Sequence, residues 1–271
     1  MIRLVIAALI ALTLPAAAAA QNGAAAQPPP ADPDIRLDPL QPDFNLAALP
    51  TTLRVPRGNW AFRITHRFTR PLGEGNFGDL AADLFGFDRG AQIGLEFRYG
   101  LRPGTQIGIH RTSDRTIQFF GQHNFLNERD DRPVGLDLIV TAEGFNNFED
   151  NHRFGIGAIL SRTMAERFAL YAEPITLLDS DGDNHTLLLG LGARARIRPT
   201  VYLIGEFTPR VAGHDPEAHQ ISFGLEKRAG GHLFQINFSN GFGTTLGQVA
   251  DGARDYDDWY IGFNIARKFF R

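Results

Sequence analysis

The sequence predicts an all-β protein: an antiparallel transmembrane β-barrel of about twelve strands, behind a cleaved signal peptide and a Pro-rich linker. Three observations carry this. Apolar and polar residues alternate with a period of two through one segment after another, and that period is the mark of a strand, because successive side chains point to opposite faces. In the clearest segment Leu187, Leu189, Leu191, Ala193, Ala195 and Ile197 alternate with Leu188, Gly190, Gly192, Arg194, Arg196 and Arg198. The segments number about twelve, an even count as single-chain bacterial barrels require. Beyond the N-terminus, no stretch approaches the roughly 20 apolar residues of a spanning helix, and a sheet that crosses lipid must close on itself to satisfy its backbone.

Composition agrees. The 271 residues include 22 Phe and 29 Gly, suited to a lipid-facing surface and a curved sheet. The formal charge of −3 gives no reason to expect nucleic acid. The absence of cysteine excludes disulfides, thiolate metal sites, a catalytic thiol and a lipidated N-terminus.

Residues 1–20 read as a signal peptide. Arg3 supplies the positive charge, Leu4 to Leu14 the apolar core, Pro15 the helix break, and the alanines to Ala20 a cleavage site before Gln21. Residues 21–57 form a Pro-rich periplasmic linker with Pro28, Pro29, Pro30, Pro33, Pro39, Pro42 and Pro50 and no sustained periodicity. Three roles are open to it: a free tail, a plug folded into the lumen, or a handle for a periplasmic partner.

Residues 58–271 form the barrel. Trp60, Phe62, Ile64 and Phe68 oppose Arg63, Thr65 and Arg67 in the first strand. A long loop at 70–89 follows, in which Leu80 to Phe85 could make a short amphipathic helix. Later strands repeat the pattern: Ile93, Leu95 and Phe97 against Glu96 and Arg98, Leu136, Leu138 and Val140 against Asp137 and Glu143, Phe154 and Ile156 against Arg153, and Leu170 against Glu173. After the opening example come Leu203 and Phe207 against Glu206, Phe223 and Leu225 against Glu226, Phe234 and Ile236 against Gln235, and Trp259 to Phe269 at the end.

The connections sort by length. Arg102-Pro103-Gly104, Arg198-Pro199-Thr200 and Ala229-Gly230-Gly231 are tight, whereas the loops 70–89 and 241–257 are the longest. Short periplasmic turns and longer external loops are the asymmetry of outer-membrane barrels. Aromatics near the strand ends form two girdles, Trp60, Tyr99, Phe125, Phe168 and Phe269 at one rim and Phe68, Phe154, Phe207, Phe238 and Trp259 at the other. The competing reading is a soluble periplasmic barrel or sandwich with Phe, Leu and Ile packed inward, since alternation alone does not say which face is inside.

Several short motifs resemble those of a bacterial outer-membrane β-barrel family, domain of unknown function 5777. They are Leu49-Pro50-Thr51-Thr52, Pro56-Arg57-Gly58, His66-Arg67-Phe68, Leu84-Phe85-Gly86-Phe87-Asp88 and Gly108-Ile109-His110-Arg111-Thr112-Ser113, lying within residues 49–126. The resemblance implies an outer-membrane barrel and supplies no activity.

The candidate site is the polar face itself. Arg63, Arg67, Glu96, Arg98, Glu143, Arg153, Glu173, Arg194, Arg196, Glu206, Arg210 and Glu226 are expected to line the lumen, beside Asp137 and Arg228. Charged rings set the field of a pore, and an arginine excess favours anions. The alternative is that these charges pair and fill a closed structural or partner-binding barrel. Asp179-Ser180-Asp181-Gly182-Asp183-Asn184 departs from a calcium loop at its glycine and its final acidic position and reads as a polar turn. His214, Asp215, Glu217 and His219 share one loop whose imidazoles and carboxylates could bind a surface metal, but an ordinary solvated loop explains them better, so no metal and no cofactor are expected. Ser239-Asn240-Gly241 looks like part of an outer-membrane lipid hydrolase, but Asn237 stands where the general base belongs. The sequence therefore predicts no enzyme. It predicts a narrow passive channel for small, preferentially anionic solutes. Its expected partners are the lipid bilayer and lipopolysaccharide, the barrel-assembly machinery, and a periplasmic protein reached through 21–57.

Overall fold

The computed structural model describes residues 38–180 and 185–270. The signal peptide and the first part of the linker, at 1–37, lie outside the described residues, as do Asp181 to Asn184 of the calcium-like turn.

Strands form where the alternation predicts them. They are β1 (Trp60–Phe68), β2 (Ala91–Arg102), β3 (Thr105–Thr112), β4 (Ile117–Leu126), β5 (Gly135–Phe145), β6 (Asp150–Met164), β7 (Phe168–Asp179), β8 (Thr186–Arg198), β9 (Val201–Phe207), β10 (Ile221–Ala229), β11 (His232–Ser239) and β12 (Tyr260–Phe269). A short segment, Arg210–Gly213, continues β9 along β8 after an interruption. Pro209 sits in that interruption, because it has no N–H to give a ladder. Its carbonyl still accepts from Leu189 at 3.0 Å.

Each strand pairs antiparallel with its sequence neighbours, and β1 pairs with β12, which closes the sheet into a twelve-stave barrel. In that seam Trp60 lies opposite Phe269 and Ile64 opposite Ile265. The Trp60 and Phe269 rings stack at 3.7 Å, fixing one rim where the first and last strands meet. Tight turns join β2 to β3, β8 to β9 and β10 to β11, while the longest connections follow β1 and β11, as expected.

Which face is outside follows from exposure. Phe154, Ile156, Leu225 and Ile236 are 46–56 % exposed, whereas Arg67, Arg194, Glu173 and Glu226 are at most 1 % exposed. A soluble barrel would bury the first set and solvate the second. The opposite distribution fits a sheet whose outer surface meets hydrocarbon.

Loop 70–89 differs from expectation in detail. Its helix α1 is Phe77–Ala82, followed by a 3-10 segment, Leu84–Arg89, and α1 buries none of its residues. Capping decides the start: the Asn76 side chain accepts from Gly78 and Asp79 N–H, and the Asp79 carboxylate accepts from the Asn76 N–H. The second long loop carries α2 (Leu246–Asp251), which folds inward and buries Leu246, Val249 and Ala250.

Candidate functional site

The bore is filled by the protein's own N-terminal segment. Of the expected periplasmic linker 21–57, the described part does not remain outside the barrel: Gln41 to Leu53 are buried throughout. Residues 44–51 form a tight hairpin turn. The Thr51 N–H donates to the Phe44 carbonyl at 2.7 Å and the Leu46 N–H to the Leu49 carbonyl at 2.8 Å. The Asn45 amide also donates to the Ala48 carbonyl at 3.2 Å. The tip is Leu46-Ala47-Ala48-Leu49.

Lumen charges hold this tip through its backbone. The Glu206 carboxylate accepts three consecutive N–H groups, from Ala47 and Ala48 at 3.0 Å and Leu49 at 3.1 Å. Arg63 donates to the Leu46 and Ala47 carbonyls at 2.7 and 3.0 Å, and Arg67 reaches Ala47 at 3.3 Å. Arg194 donates to the Asn45 carbonyl at 2.9 Å, and Arg98 to the Asn45 side-chain oxygen at 2.7 Å. Gln235 and Asn264 reach the Leu46 and Ala47 carbonyls at 3.2 Å each. Further back, Lys268 donates to the Pro42 carbonyl and Tyr202 to the Pro39 carbonyl at 2.8 Å. A turn has spare carbonyls and N–H groups; a dry bore must satisfy them, and these side chains do.

The charges also pair with one another. Arg194 and Glu226, both without exposure, form a forked pair at 2.7 and 3.0 Å. Arg98 pairs with Glu96, and Asp43 of the plug lies 3.7 Å from Arg63. Towards the external end, Arg153 binds Asp179 at 3.2 Å and Asp251 of α2 at 2.6 Å, and Glu143 accepts the Gly247 N–H at 3.1 Å. Glu173 differs: neither of its carboxyl oxygens has a hydrogen-bond partner among the described residues.

The expected lining residues fall into two groups. Arg63, Arg67, Glu96, Arg98, Glu143, Arg153, Glu173, Arg194, Glu206 and Glu226 are buried in the bore. Arg196, beside the β8–β9 turn, and Arg210 are only partly buried. Arg210, set opposite the inward Leu188, is engaged by Asp215 at 2.9 Å towards the external mouth.

Alternation assigns six further positions to the inner face that charge-based reasoning passed over. Ile139, Ile159, Ile175, Leu177, Leu188 and Ile204 join Leu46, Leu49, Leu246 and Ala250 in one buried cluster. The inner face thus carries an apolar belt on β5 to β9, set among buried charges of the same strands, Asp137, Glu143, Arg153, Glu173, Arg194 and Glu206. Gly190 and Gly192 of β8 make room for the tip: a Cβ on Gly192 would collide with Leu46 Cδ1, and one on Gly190 would come within 3.0 Å of Leu49 Cδ2. The signal for this arrangement was in the sequence, as apolar residues at bore positions need an apolar cover.

At the external end a cup of about 850 Å³ is lined by Asp215, Glu217, Asp251 and Asp258 with His214 and Arg254. Among the described residues no group of three His, Asp or Glu is placed to hold a metal. Ser239 is fully buried and accepts from the Ser222 hydroxyl at 3.0 Å, so it faces the bore and not the lipid.

The family model described as a membrane bound beta barrel domain (DUF5777) matches residues 43–269, taking in the plug as well as the barrel. Among solved structures, the chain resembles the NanC porin, with a TM-score of 0.50, 10 % identity and coverage of 79 % of this chain and 100 % of that one. It also resembles an outer-membrane channel from Pseudomonas putida F1, with a TM-score of 0.50, 11 % identity and coverage of 79 % and 97 %. At these identities the likeness is one of fold. No curated protein matches the chain.

Proposed function

As this chain belongs to the DUF5777 family of membrane-bound β-barrels, we propose that it is an outer-membrane channel for small anionic solutes, held shut by its own residues 41–53. The observation that carries this reading is how the plug is held. Arg63, Arg67 and Arg194 grip carbonyl oxygens of a turn that shares only hydrogen bonds and packing with the wall. Removal of the turn would leave Arg63, Arg67 and Glu206 facing water, two guanidiniums to one carboxylate. Arg194 and Arg98 stay paired with Glu226 and Glu96, and the surplus of guanidiniums favours anions. The acidic cup at the external mouth opposes anion entry from that side, but Arg153 offsets Asp251, and Asp215 and Glu217 are exposed to solvent and salt, which screen them. The names of the fold neighbours, a porin and an outer-membrane channel, support passage as the activity and offer no support for an enzyme.

A second reading has its own observation. The bore is filled from both ends, by the plug and by α2, which suits a static barrel that anchors or binds a partner. In either case bilayer lipid and lipopolysaccharide surround the wall, and the barrel-assembly machinery inserts it. A periplasmic partner gripping residues 21–37 would be placed to pull the plug. Planar-bilayer recordings separate the readings. Replacing Leu46 and Leu49 with Asp places two charges in the apolar cluster and expels the tip. A channel then shows ohmic conductance with anion preference, reduced by Arg63→Gln with Arg67→Gln. A folded variant without conductance rejects the channel.

A further inference from the structure

The two-sided bore points to the class of solute. We infer that the channel's preferred solutes are amphipathic carboxylates, with an anionic head on the arginine side and an apolar body on the β5–β9 side, and that they compete with the plug for both. This rests on the channel reading above.

The plug shows the chemistry the bore accepts. Its carbonyl oxygens are negative ends of dipoles, and they sit on Arg63, Arg67 and Arg194. Its Leu46 and Leu49 side chains sit across the bore in the isoleucine and leucine cluster, over the spaces left by Gly192 and Gly190. A lining meant only for hydrated inorganic anions has no use for six buried aliphatic side chains, which resist wetting once uncovered. A purely apolar solute would leave the guanidiniums unpaired. A carboxylate on a short aliphatic or aromatic body satisfies both faces at once. Its oxygens replace the plug carbonyls, with bidentate pairing available at each guanidinium. Its hydrocarbon replaces the leucines. Glu173 and Glu206 also stand on the β5–β9 side and repel a carboxylate, which keeps the head group at the arginines. Glu206, which accepts three plug N–H groups, is left to water.

The test uses the full chain in liposomes, with Ala48→Cys as the single thiol of a protein that has none. Ala48 is buried at the plug tip, so a membrane-impermeant maleimide reaches it only when the plug leaves. Phenylacetate is expected to raise the labelling rate about fivefold or more and to saturate. Gluconate, an anion without an apolar body, and benzyl alcohol, the body without a charge, are expected to leave it unchanged. A second measurement uses the plug-expelled Leu46→Asp, Leu49→Asp variant, with folding confirmed by heat-dependent gel mobility. Phenylacetate efflux, above that of protein-free liposomes, is expected to exceed gluconate efflux about tenfold. Adding Ile175→Ser and Leu188→Ser should bring the ratio near one while chloride conductance persists. Chloride conductance with equal phenylacetate and gluconate efflux overturns the inference and leaves the channel standing. A folded variant that passes no chloride overturns both.

Discussion

Glu206→Gln is the sharpest perturbation of the plug. The Glu206 carboxylate accepts N–H groups from Ala47, Ala48 and Leu49 at 3.0–3.1 Å, all buried. Glutamine keeps the shape but has one acceptor oxygen and presents an NH₂ where the other oxygen stood. With that oxygen in the place of Oε2, which accepts all three N–H groups, the bonds survive but lose their charge. The NH₂ replaces only the second oxygen's contact to the Ala48 N–H at 3.1 Å. Hydrogen bonds to a charged group are worth about 1.5–3 kcal/mol each and those to a neutral one about 0.5–1.5 kcal/mol, so each of the three loses roughly 1 kcal/mol. A net loss of about 2–4 kcal/mol follows, and at about 1.4 kcal/mol per decade the unplugged population rises roughly 30- to 700-fold. The barrel wall makes no comparable demand on Glu206, so the change falls on the plug. Thiol labelling of Ala48→Cys in this background reads the effect, because the rate follows the open population when opening and closing are fast. A labelling rate within about twofold of the parent, in protein whose gel mobility shows a folded barrel, would refute the account of how the plug is held.

Three other outcomes follow from the same contacts. Arg194→Met leaves Glu226 buried and unpaired, so it should cost about 3–5 kcal/mol in barrel stability, seen as lower resistance to thermal unfolding in detergent; a neutral result would mean that the pair is dispensable. Glu173→Met replaces a buried carboxyl that has no hydrogen-bond partner among the described residues by an apolar side chain of similar size and should raise stability by about 1–3 kcal/mol, whereas a loss would reveal a partner for Glu173. Asp114 gives a pH dependence at the external mouth. Burial works against its ionisation, but hydrogen bonds from the Thr112 hydroxyl, the Thr116 N–H and Gln92 outweigh it and hold the carboxyl below its ordinary range. A lowered folded value means stabilisation that is present above the unfolded value and is lost as pH falls through the folded one. The Gln248 amide of α2 donates to Asp114 at 2.9 Å. Acidification through that range should therefore loosen α2, raising proteolysis after Arg254 in wild type and less in Asp114→Asn.

The barrel was legible because alternation is a local signal repeated many times. Leu95, Phe97, Phe154 and Ile156 show their outward position within three or four residues of sequence, and the lengths of the turns then set which end they join. The plug was not legible by that route. Residues 41–53 have no period, and their prolines suit an exposed tail as well as a hairpin. What holds them is scattered, from Arg63 and Arg67 nearby to Glu206, Gly190 and Gly192 about 150 residues away, and no local pattern joins such positions. Two clues were present nonetheless. The Leu46-Ala47-Ala48-Leu49 tetrad is apolar within a Pro-rich segment, and Ile139, Ile159, Ile175, Leu188 and Ile204 stand at inner positions where charge was expected.

The most direct test of the central claim is the conductance of the full chain in a planar bilayer, before and after Leu46→Asp with Leu49→Asp. The account predicts a wild-type protein that is silent but for rare openings, and a variant with steady ohmic current carried preferentially by anions. Equal steady current from both would show that residues 41–53 do not close the bore, and silence from a folded variant would show that there is no path beneath them.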